Sequence, residues 1–188
     1  MLLLVGLGNP GSNYTNTRHN IGFKIIDAIN LHFKLSKQKP KFKGLLTTGN
    51  IDSKKIYAIK PLTFMNNSGT AIKELIDYFK IDAKNVFVFH DDLDIDFGKI
   101  KAKFGGSSAG HNGVESIDKF IGKDYSRVRI GIGHPKQKSK VNNHVLEDFK
   151  DDEEEKIKEI ADNIVKLIPT LIEKKIDLFS SKFNQNLN

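Results

Sequence analysis

The chain has 188 residues, of which 38% are hydrophobic and 28% are charged, a balance typical of one globular domain with a buried core. It contains no cysteine, which excludes disulfides, thiolate catalysis and thiolate metal sites. No apolar run approaches the roughly 18 residues that a membrane span needs, and the N-terminus carries no secretory signal pattern. We therefore expect a cytoplasmic protein with no membrane association.

The net charge of +7 is distributed unevenly along the chain. Residues 1–146 carry a net charge of +11, whereas residues 147–159 carry −5. A basic body of this kind favours an anionic partner such as nucleic acid. Because 27 of the 30 cations are lysine, a compositional bias toward lysine is an alternative explanation.

Predicted strands and helices alternate along the chain. The pattern predicts strands over 2–5, 42–51, 55–60, 86–89, 98–104 and 127–132, of which 42–51 and 55–60 form a hairpin. It predicts helices over 21–33, from a Ser68 cap to 79, over 112–121 and over 153–173. The predicted loops are a turn-like loop over 12–17, loops over 34–43 and 105–110, and a basic loop over 136–140. Residues 184–188 are expected to fray. These elements predict a single α/β domain over 1–188, with a twisted mixed β-sheet flanked by α-helices and an active-site crevice at the carboxyl ends of strands.

Residues 6–11 read GLGNPG and match the G-x-G-x-x-G dinucleotide-binding fingerprint. Pro10 has no N–H to offer a phosphate, and the periodic helix begins only near Asn20. Asp27 lies inside that helix, whereas a ribose-binding acid should follow a second strand. The surrounding sequence therefore argues against a nucleotide cofactor, and we predict none.

His19 and Asp91 are candidates for general base catalysis. His19 stands at a predicted helix start, where the helix dipole disfavours the imidazolium and keeps the imidazole neutral, as a base requires. Asp91 follows a buried strand, so its carboxylate can bond one ring nitrogen and leave the other free to accept a proton. No side chain nearby is an evident nucleophile. The pair therefore points to water as the attacking group.

Three asparagines, Asn9, Asn66 and Asn112, lie in predicted turns or helix starts, where an amide can donate to an oxyanion or bond its own backbone.

The segment HDDLDID (90–96) resembles a metal-ligand cluster but lacks the glycine and glutamate of a calcium loop. We therefore predict no metal and expect only Asp91 to point inward.

Two predicted strands each carry cations on one face. One strand has Lys99, Lys101 and Lys103, and the other has Arg127 and Arg129. If the two strands are neighbours, these cations form a phosphate clamp; if they are not, each row is a solvated surface.

Short motifs occur in a fixed order along the chain: GLGNPG (6–11), Tyr14, TRHN (17–20), FMN-x-SG (64–69), HD-x-LD (90–94), GSSAGHNG (106–113) and R-x-RIGIG (127–133). Taken together, these motifs resemble the bacterial peptidyl-tRNA hydrolase family. The resemblance implies a monomeric α/β enzyme without metal or cofactor. It would hydrolyse the ester that joins a peptide to the tRNA 3′ end and so return tRNA to translation.

The resemblance also implies roles for individual residues. His19 matches the general base, Asp91 its orienting carboxylate, and Asn9 a residue that distinguishes a blocked peptidyl amine from a free aminoacyl amine. The other matches are Tyr14, Phe64, Asn66 and Asn112 at substrate-binding positions, with Asn66 also the oxyanion donor, His111 as an active-site histidine of open role, and Lys101 and Arg129 as the clamp on the tRNA 5′-phosphate. Asp92 stands where the family commonly has glutamate, and residues 147–188 follow the family only loosely.

Two functions of other classes stay open on the sequence alone. A nicotinamide-dependent oxidoreductase rests on GLGNPG, and a noncatalytic RNA-binding module rests on the charge. Only the hydrolase interpretation requires His19 for activity.

Overall fold

A mixed seven-stranded sheet forms the centre of the computed structural model, which describes residues 1–186. Its strands are β1 (Leu2–Gly6), β2 (Lys39–Lys41), β3 (Gly44–Ile51), β4 (Lys54–Pro61), β5 (Val86–Asp92), β6 (Ile100–Phe104) and β7 (Ser126–Gly131). The spatial order is β2-β3-β4-β1-β5-β7-β6. The four central strands β4, β1, β5 and β7 are parallel, while β2, β3 and β6 run antiparallel to their neighbours at the two edges.

Within residues 1–186, six α-helices flank the sheet. They are α1 (Ile21–His32), α2 (Ser68–Phe79), α3 (Asn112–Ile121), α4 (Val141–Leu146), α5 (Asp151–Ile172) and α6 (Ile176–Asn186), and short 3₁₀ turns include Arg18–Asn20 and Met65–Asn67. Helices α1, α5 and α6 bury their apolar faces on one side of the sheet, and α2 and α3 bury theirs on the other. The predicted single-domain α/β fold with a mixed sheet is therefore confirmed. No helix within residues 1–186 combines the length and apolar character needed to cross a membrane.

Strand β5 lies at the centre of this arrangement. All seven of its residues are buried, as expected for a parallel strand covered by helices on both faces. Its neighbours are β1 and β7, so the residues at its carboxyl end lie between the turn that follows β1 and the strand that carries two arginines. The sequence predicted a strand only over 86–89, and the structure extends it through His90, Asp91 and Asp92.

Two glycines let α1 pack directly against the sheet. A Cβ at Gly22 would lie 2.4 Å from the backbone N of Leu7 and the carbonyl O of Phe89, and a Cβ at Gly6 would lie 2.2 Å from the carbonyl O of Gly22. Helix α1 begins at Ile21, ten residues after Gly11. The first glycine of GLGNPG thus serves helix–strand contact, and no helix starts inside the motif to receive a pyrophosphate.

Several local predictions were wrong. The predicted loop over 34–43 contains β2, and α4 was not predicted. Ser68 is the first residue of α2 and bonds back to the carbonyl of Met65 rather than capping the helix. Asn184 does not fray, because it lies in α6 and its side chain bonds both backbone groups of Ile100; residues 187–188 lie outside the described part of the chain.

Candidate active site

A cavity of about 450 Å³ opens at the carboxyl end of β5. Its walls are the residues that follow β5, the loop before α3, the turn before α1 and one side of α4. Four of the predicted site residues line this cavity: His19, Asp91, His111 and Asn112. The cavity therefore lies where open α/β sheets bind their ligands.

His19 and Asp91 form a direct hydrogen bond in the wall of this cavity. His19 lies in the 3₁₀ turn that leads into α1, and its Nδ1 is 2.8 Å from Asp91 Oδ1. Both residues are buried, with exposed fractions of 8% and 2%. Burial by itself would lower the pKa of His19, but the Asp91 carboxylate and its hydrogen bond outweigh burial and raise that pKa above its ordinary value. Nδ1 donates to the carboxylate, which leaves Nε2 as the proton-accepting nitrogen.

His111 contacts the same carboxylate oxygen. Its Nε2 is 2.9 Å from Asp91 Oδ1, while its Nδ1 accepts from the backbone N–H groups of Gly113 and Val114 at 3.2 and 3.3 Å. It is thus the N-cap of α3. Because Nδ1 accepts, the ring proton is on Nε2 and is donated to Asp91. One carboxylate oxygen therefore receives hydrogen bonds from two imidazoles.

The Asp91 carboxylate stays ionised in this environment. Complete burial would raise its pKa, but the adjacent His19 and His111 rings and their hydrogen bonds hold that pKa well below its usual range. The charge is therefore available to stabilise an imidazolium at His19 when that ring accepts a proton.

The His19, Asp91 and His111 ligand atoms lie within 4.8 Å of one another, a spacing compatible with a metal ion. The hydrogen bonds argue against such a site, because a metal ligand must offer a lone pair. Nε2 of His111 carries the ring proton, since Nδ1 already accepts two backbone N–H groups. We interpret the cluster as a hydrogen-bonded array.

His90 packs next to His111 and is buried. Its Nδ1 bonds the carbonyl of Asp91 at 2.7 Å, its Nε2 has no partner in residues 1–186, and the two imidazole rings are 4.8 Å apart. Burial, followed by the neighbouring His111, lowers the pKa of His90 to about 3. His90 therefore supports the array as a neutral ring.

Asn9 is held in a framework of amide hydrogen bonds by Asn20, the residue that follows His19. The Asn20 side chain bonds both backbone groups of Asn9, accepting from its N at 2.8 Å and donating to its O at 2.9 Å. The Asn9 Oδ1 accepts from the backbone N of Met65 at 2.8 Å. This bond ties Asn9 to the turn that carries Asn66, which is exposed. Asn20 was not predicted as a site residue, although it follows His19 directly in the TRHN motif.

A larger cavity of about 710 Å³ adjoins Asn9 but does not contain the His19–Asp91 pair. It lies between α1, α5 and the β3–β4 hairpin. Tyr14 and Phe64 face each other edge to face, with ring centroids 6.4 Å apart. Tyr14, Phe64, Asn66 and Asn9 therefore lie outside the lining of the smaller cavity, and the predicted site is spread over a wider surface.

The two cationic strands are neighbours, as the clamp prediction requires. Lys101 of β6 lies directly opposite Arg129 of β7 in the antiparallel register. Arg127 does not belong to an open cationic face, because it is buried and its guanidinium bonds the carbonyls of Gly106 and Ser107 and the Asp118 carboxylate. Lys101 is exposed and Arg129 is partly exposed.

Asp92 corrects the prediction that Asp91 alone points inward. Asp92 is 8% exposed and its Oδ2 accepts from Arg129 Nε at 2.7 Å.

Arg18 is a second residue whose role the sequence did not reveal. It is buried and binds Glu153 at 2.9 Å, so it fastens the turn that carries His19 to the start of α5. Charged residues of this kind, next to a motif histidine or carboxylate, have no sequence signal that separates them from surface charges.

Comparisons of sequence and of structure with known proteins point to one family. The sequence model of the peptidyl-tRNA hydrolase family matches residues 3–188. The peptidyl-tRNA hydrolase of Pelagibacter ubique is 70% identical over 184 residues, covering 98% of this chain and 99% of the relative, and that of Ehrlichia ruminantium is 47% identical over 180 residues, covering 96% and 92%. A crystal structure of peptidyl-tRNA hydrolase from Acinetobacter baumannii superposes with a TM-score of 0.91 at 34% identity, covering 98% of this chain and 94% of the other. The chain therefore belongs to the peptidyl-tRNA hydrolase family, a family of hydrolases.

Proposed function

We propose that this protein hydrolyses the ester between a peptide and the 3′ end of tRNA, with a water molecule activated by His19. Family membership supports the substrate class, since the relatives are named for it. The observation that carries the mechanism is the 2.8 Å hydrogen bond between His19 and Asp91 at the wall of a cavity. A neutral imidazole with one nitrogen held by a carboxylate and the other unbonded is the arrangement that a general base needs.

In the proposed reaction, His19 Nε2 takes a proton from water as the water oxygen attacks the ester carbonyl. The imidazolium that forms is stabilised by Asp91, whose own charge is preserved by the two imidazole hydrogen bonds. The tetrahedral intermediate then expels the 3′-oxygen of tRNA, which receives the proton back from His19. The carboxylic acid end of the peptide and the 3′-hydroxyl of tRNA are the products.

The oxyanion of this intermediate requires donors that do not titrate. On the family resemblance we assign oxyanion stabilisation to Asn66, which follows Met65 in the neighbouring turn, and substrate contact to Asn112, which lines the cavity. Tyr14 and Phe64 are assigned as further substrate contacts on the same basis. Side-chain amides are suited to this role because they donate at any physiological pH.

Asn9 supports discrimination between blocked and free amines through its remaining donor. Its Oδ1 is already used by the backbone N of Met65, so Nδ2 is the group left for substrate. An amide N–H donor pairs with the carbonyl that blocks a peptidyl amine, whereas a free ammonium offers no acceptor. Asn9 therefore favours the peptidyl substrate.

His111 has a positioning role in this proposal. By capping α3 through Nδ1 and donating from Nε2, His111 holds Asp91 Oδ1 in the position where His19 also bonds it.

Lys101 and Arg129 are assigned to the tRNA 5′-phosphate. The net charge of +7 supports attraction of the nucleic acid as a whole. We also infer that the protein acts in the cytoplasm, in translation, as a monomer without metal or cofactor.

The decisive experiment incubates the pure protein with N-acetyl-aminoacyl-tRNA and, separately, with free aminoacyl-tRNA, both with chelator present. We expect cleavage of the first substrate alone. His19→Ala should abolish turnover while tRNA binding is retained, and His32→Ala, which alters a histidine at the end of α1, is the matched control. Turnover by His19→Ala at the wild-type rate would refute the mechanism, and equal cleavage of both substrates would refute the assigned substrate class.

A further inference from the structure

An ion pair joins Asp92, which lines the cavity, to Arg129 of β7. We propose that Asp92 is a positioning residue for Arg129. Its carboxylate holds the Nε edge of the guanidinium, so that the two terminal nitrogens face outward to bind the 5′-phosphate of tRNA. This inference rests on the proposed function insofar as it takes tRNA as the ligand.

Both oxygens of the Asp92 carboxylate are engaged. Oδ2 accepts from Arg129 Nε at 2.7 Å, and Oδ1 accepts from the backbone N of Asp94 at 2.9 Å. The second bond fixes the carboxylate to the start of the loop after β5, so the group that Arg129 meets cannot rotate freely. Asp92 is 8% exposed, which shields this pair from the solvent screening that weakens surface ion pairs.

Arg129 is held by one edge only. Within residues 1–186, its terminal nitrogens make no hydrogen bond, and Nε alone is bonded. A guanidinium in this state offers a planar pair of donors, which matches the geometry of a phosphate. Lys101 lies opposite it, and directly paired residues of antiparallel strands have Cβ atoms about 5 Å apart, so both cations can reach one phosphate.

Arg127 provides a contrast two residues earlier on the same face of β7. Its terminal nitrogens are bonded to the Ser107 and Gly106 carbonyls and to the Asp118 carboxylate. Arg127 thus holds the base of the loop before α3, and because it is buried it is not open to an external anion. Of the two arginines of β7, the one held by Asp92 is therefore the one equipped to bind an external anion.

The position of Asp92 next to Asp91 also relates the two protein groups that are assigned to the two ends of the tRNA. Asp91 and Asp92 are consecutive residues of β5, and alternation along a strand sends their side chains to opposite faces. Asp91 holds His19 on one side, and Asp92 holds Arg129 on the other. Strand β5 thereby sets the distance between the nitrogen that activates water at the 3′ end and the guanidinium assigned to the 5′-phosphate.

Asp92 has two opposing effects on phosphate binding, and a variant without its charge distinguishes them because they change the affinity in opposite directions. A carboxylate near a phosphate repels it, so removing the charge would tighten binding if repulsion dominated. A carboxylate that orders a guanidinium removes rotational freedom before binding, so its removal would weaken binding if positioning dominated. The bonded carboxylate oxygens and the shielded pair favour positioning.

The test measures binding of a tRNA acceptor minihelix with either a 5′-phosphate or a 5′-hydroxyl, by fluorescence anisotropy. Asp92→Asn should weaken binding of the phosphorylated minihelix roughly three- to tenfold and leave the 5′-hydroxyl form unchanged. An amide cannot serve both Arg129 Nε and the Asp94 N–H, since only one of its two ends accepts. Asp92→Glu, which keeps the charge, should restore part of the difference. Asp96→Asn, at an exposed carboxylate of the same loop, is the control for net charge.

A double-variant cycle separates positioning from other roles. In an Arg129→Gln background, Asp92→Asn should have no further effect on phosphate binding, because the group it positions is gone. In hydrolysis of N-acetyl-aminoacyl-tRNA, the effect of Asp92→Asn should fall on KM rather than kcat. A thermal melt confirms that each variant is folded.

Three results would overturn the inference. They are unchanged or tighter phosphate binding by Asp92→Asn, an equal loss for the 5′-phosphate and 5′-hydroxyl forms, and retention of phosphate discrimination by Arg129→Gln. Because these are binding measurements, absence of ester hydrolysis by the wild type would refute the proposed function without affecting them.

Discussion

Replacing Asp91 by asparagine separates the charge of the carboxylate from its shape. The amide oxygen can accept from both His19 Nδ1 and His111 Nε2, as Asp91 Oδ1 does at 2.8 and 2.9 Å. The amide NH₂ takes the place of Oδ2, which makes no hydrogen bond within residues 1–186. The rings should therefore stay in position while the negative charge is lost.

The magnitude follows from what the charge does for the imidazolium. A hydrogen bond to a charged acceptor contributes about 1.5–3 kcal/mol and one to a neutral acceptor about 0.5–1.5 kcal/mol. The Coulomb attraction is lost as well, so the total loss of transition-state stabilisation is about 1.5–3 kcal/mol. At about 1.4 kcal/mol per factor of ten, kcat should fall roughly 10- to 100-fold.

The pH dependence gives a second readout with a definite sign. In the wild type, Asp91 raises the pKa of His19, so the acidic limb of the kcat profile should lie above the ordinary histidine pKa of about 6.5. In Asp91→Asn, burial acts unopposed and lowers that pKa, so the limb should move to lower pH. For stability, the raised pKa means that His19 stabilises the fold below about pH 6.5 and that this contribution is lost as pH rises through the folded pKa.

The assay is the initial rate of N-acetyl-aminoacyl-tRNA hydrolysis from pH 5 to 9, together with an NMR titration of His19. A profile whose acidic limb stays at the wild-type pH, or moves upward, would show that Asp91 does not control the basicity of His19. Retention of wild-type kcat would remove the carboxylate from the mechanism altogether.

Three further changes test the supports of the site. Gly22→Ala should destabilise the fold by about 3 kcal/mol or more and lower the Tm by about 6–12 °C, because the new Cβ would meet the carbonyl O of Phe89 at 2.4 Å; a wild-type melt would contradict this. Asn20→Ala should cost about 1–3 kcal/mol for each backbone group of Asn9 that it leaves unpaired, measured by denaturant unfolding, whereas a loss below 0.5 kcal/mol would show that water replaces the amide. Lys101→Gln should reduce the slope of log binding constant against log salt by about 1, and an unchanged slope would exclude Lys101 from phosphate contact.

Local sequence patterns were sufficient for most elements. Helix α3 begins and ends at the predicted residues, since its N-cap, its apolar spacing and the following Gly122 all lie within a few positions of it. Strand β2 escaped prediction because its three residues, KPK, are exposed and gain their conformation from pairing with β3. Helix α4 has six residues and none is buried, so its sequence offers no periodic apolar face to recognise.

The chemistry of the site was predictable only in part, for the same reason. The pairing of His19 with Asp91 could be anticipated, because both residues were expected to follow buried strands and parallel strands end at the same edge of a sheet. The burial of Asp92, the withdrawal of Arg127 from the cationic face and the amide bonds of Asn20 could not. Each depends on a partner at least nine residues away in the chain.

Residue order alone specifies which groups are available and which elements carry them: an imidazole before a helix, carboxylates after an apolar strand, and cations alternating on two strands. The three-dimensional fold places β5 between β1 and β7, and this brings Asp91 to His19 and Asp92 to Arg129. The difference comes from the range over which the interactions act. Propensity, capping and periodicity act over a few residues, whereas the order of strands is set by how the two cores of the whole chain pack on the sheet.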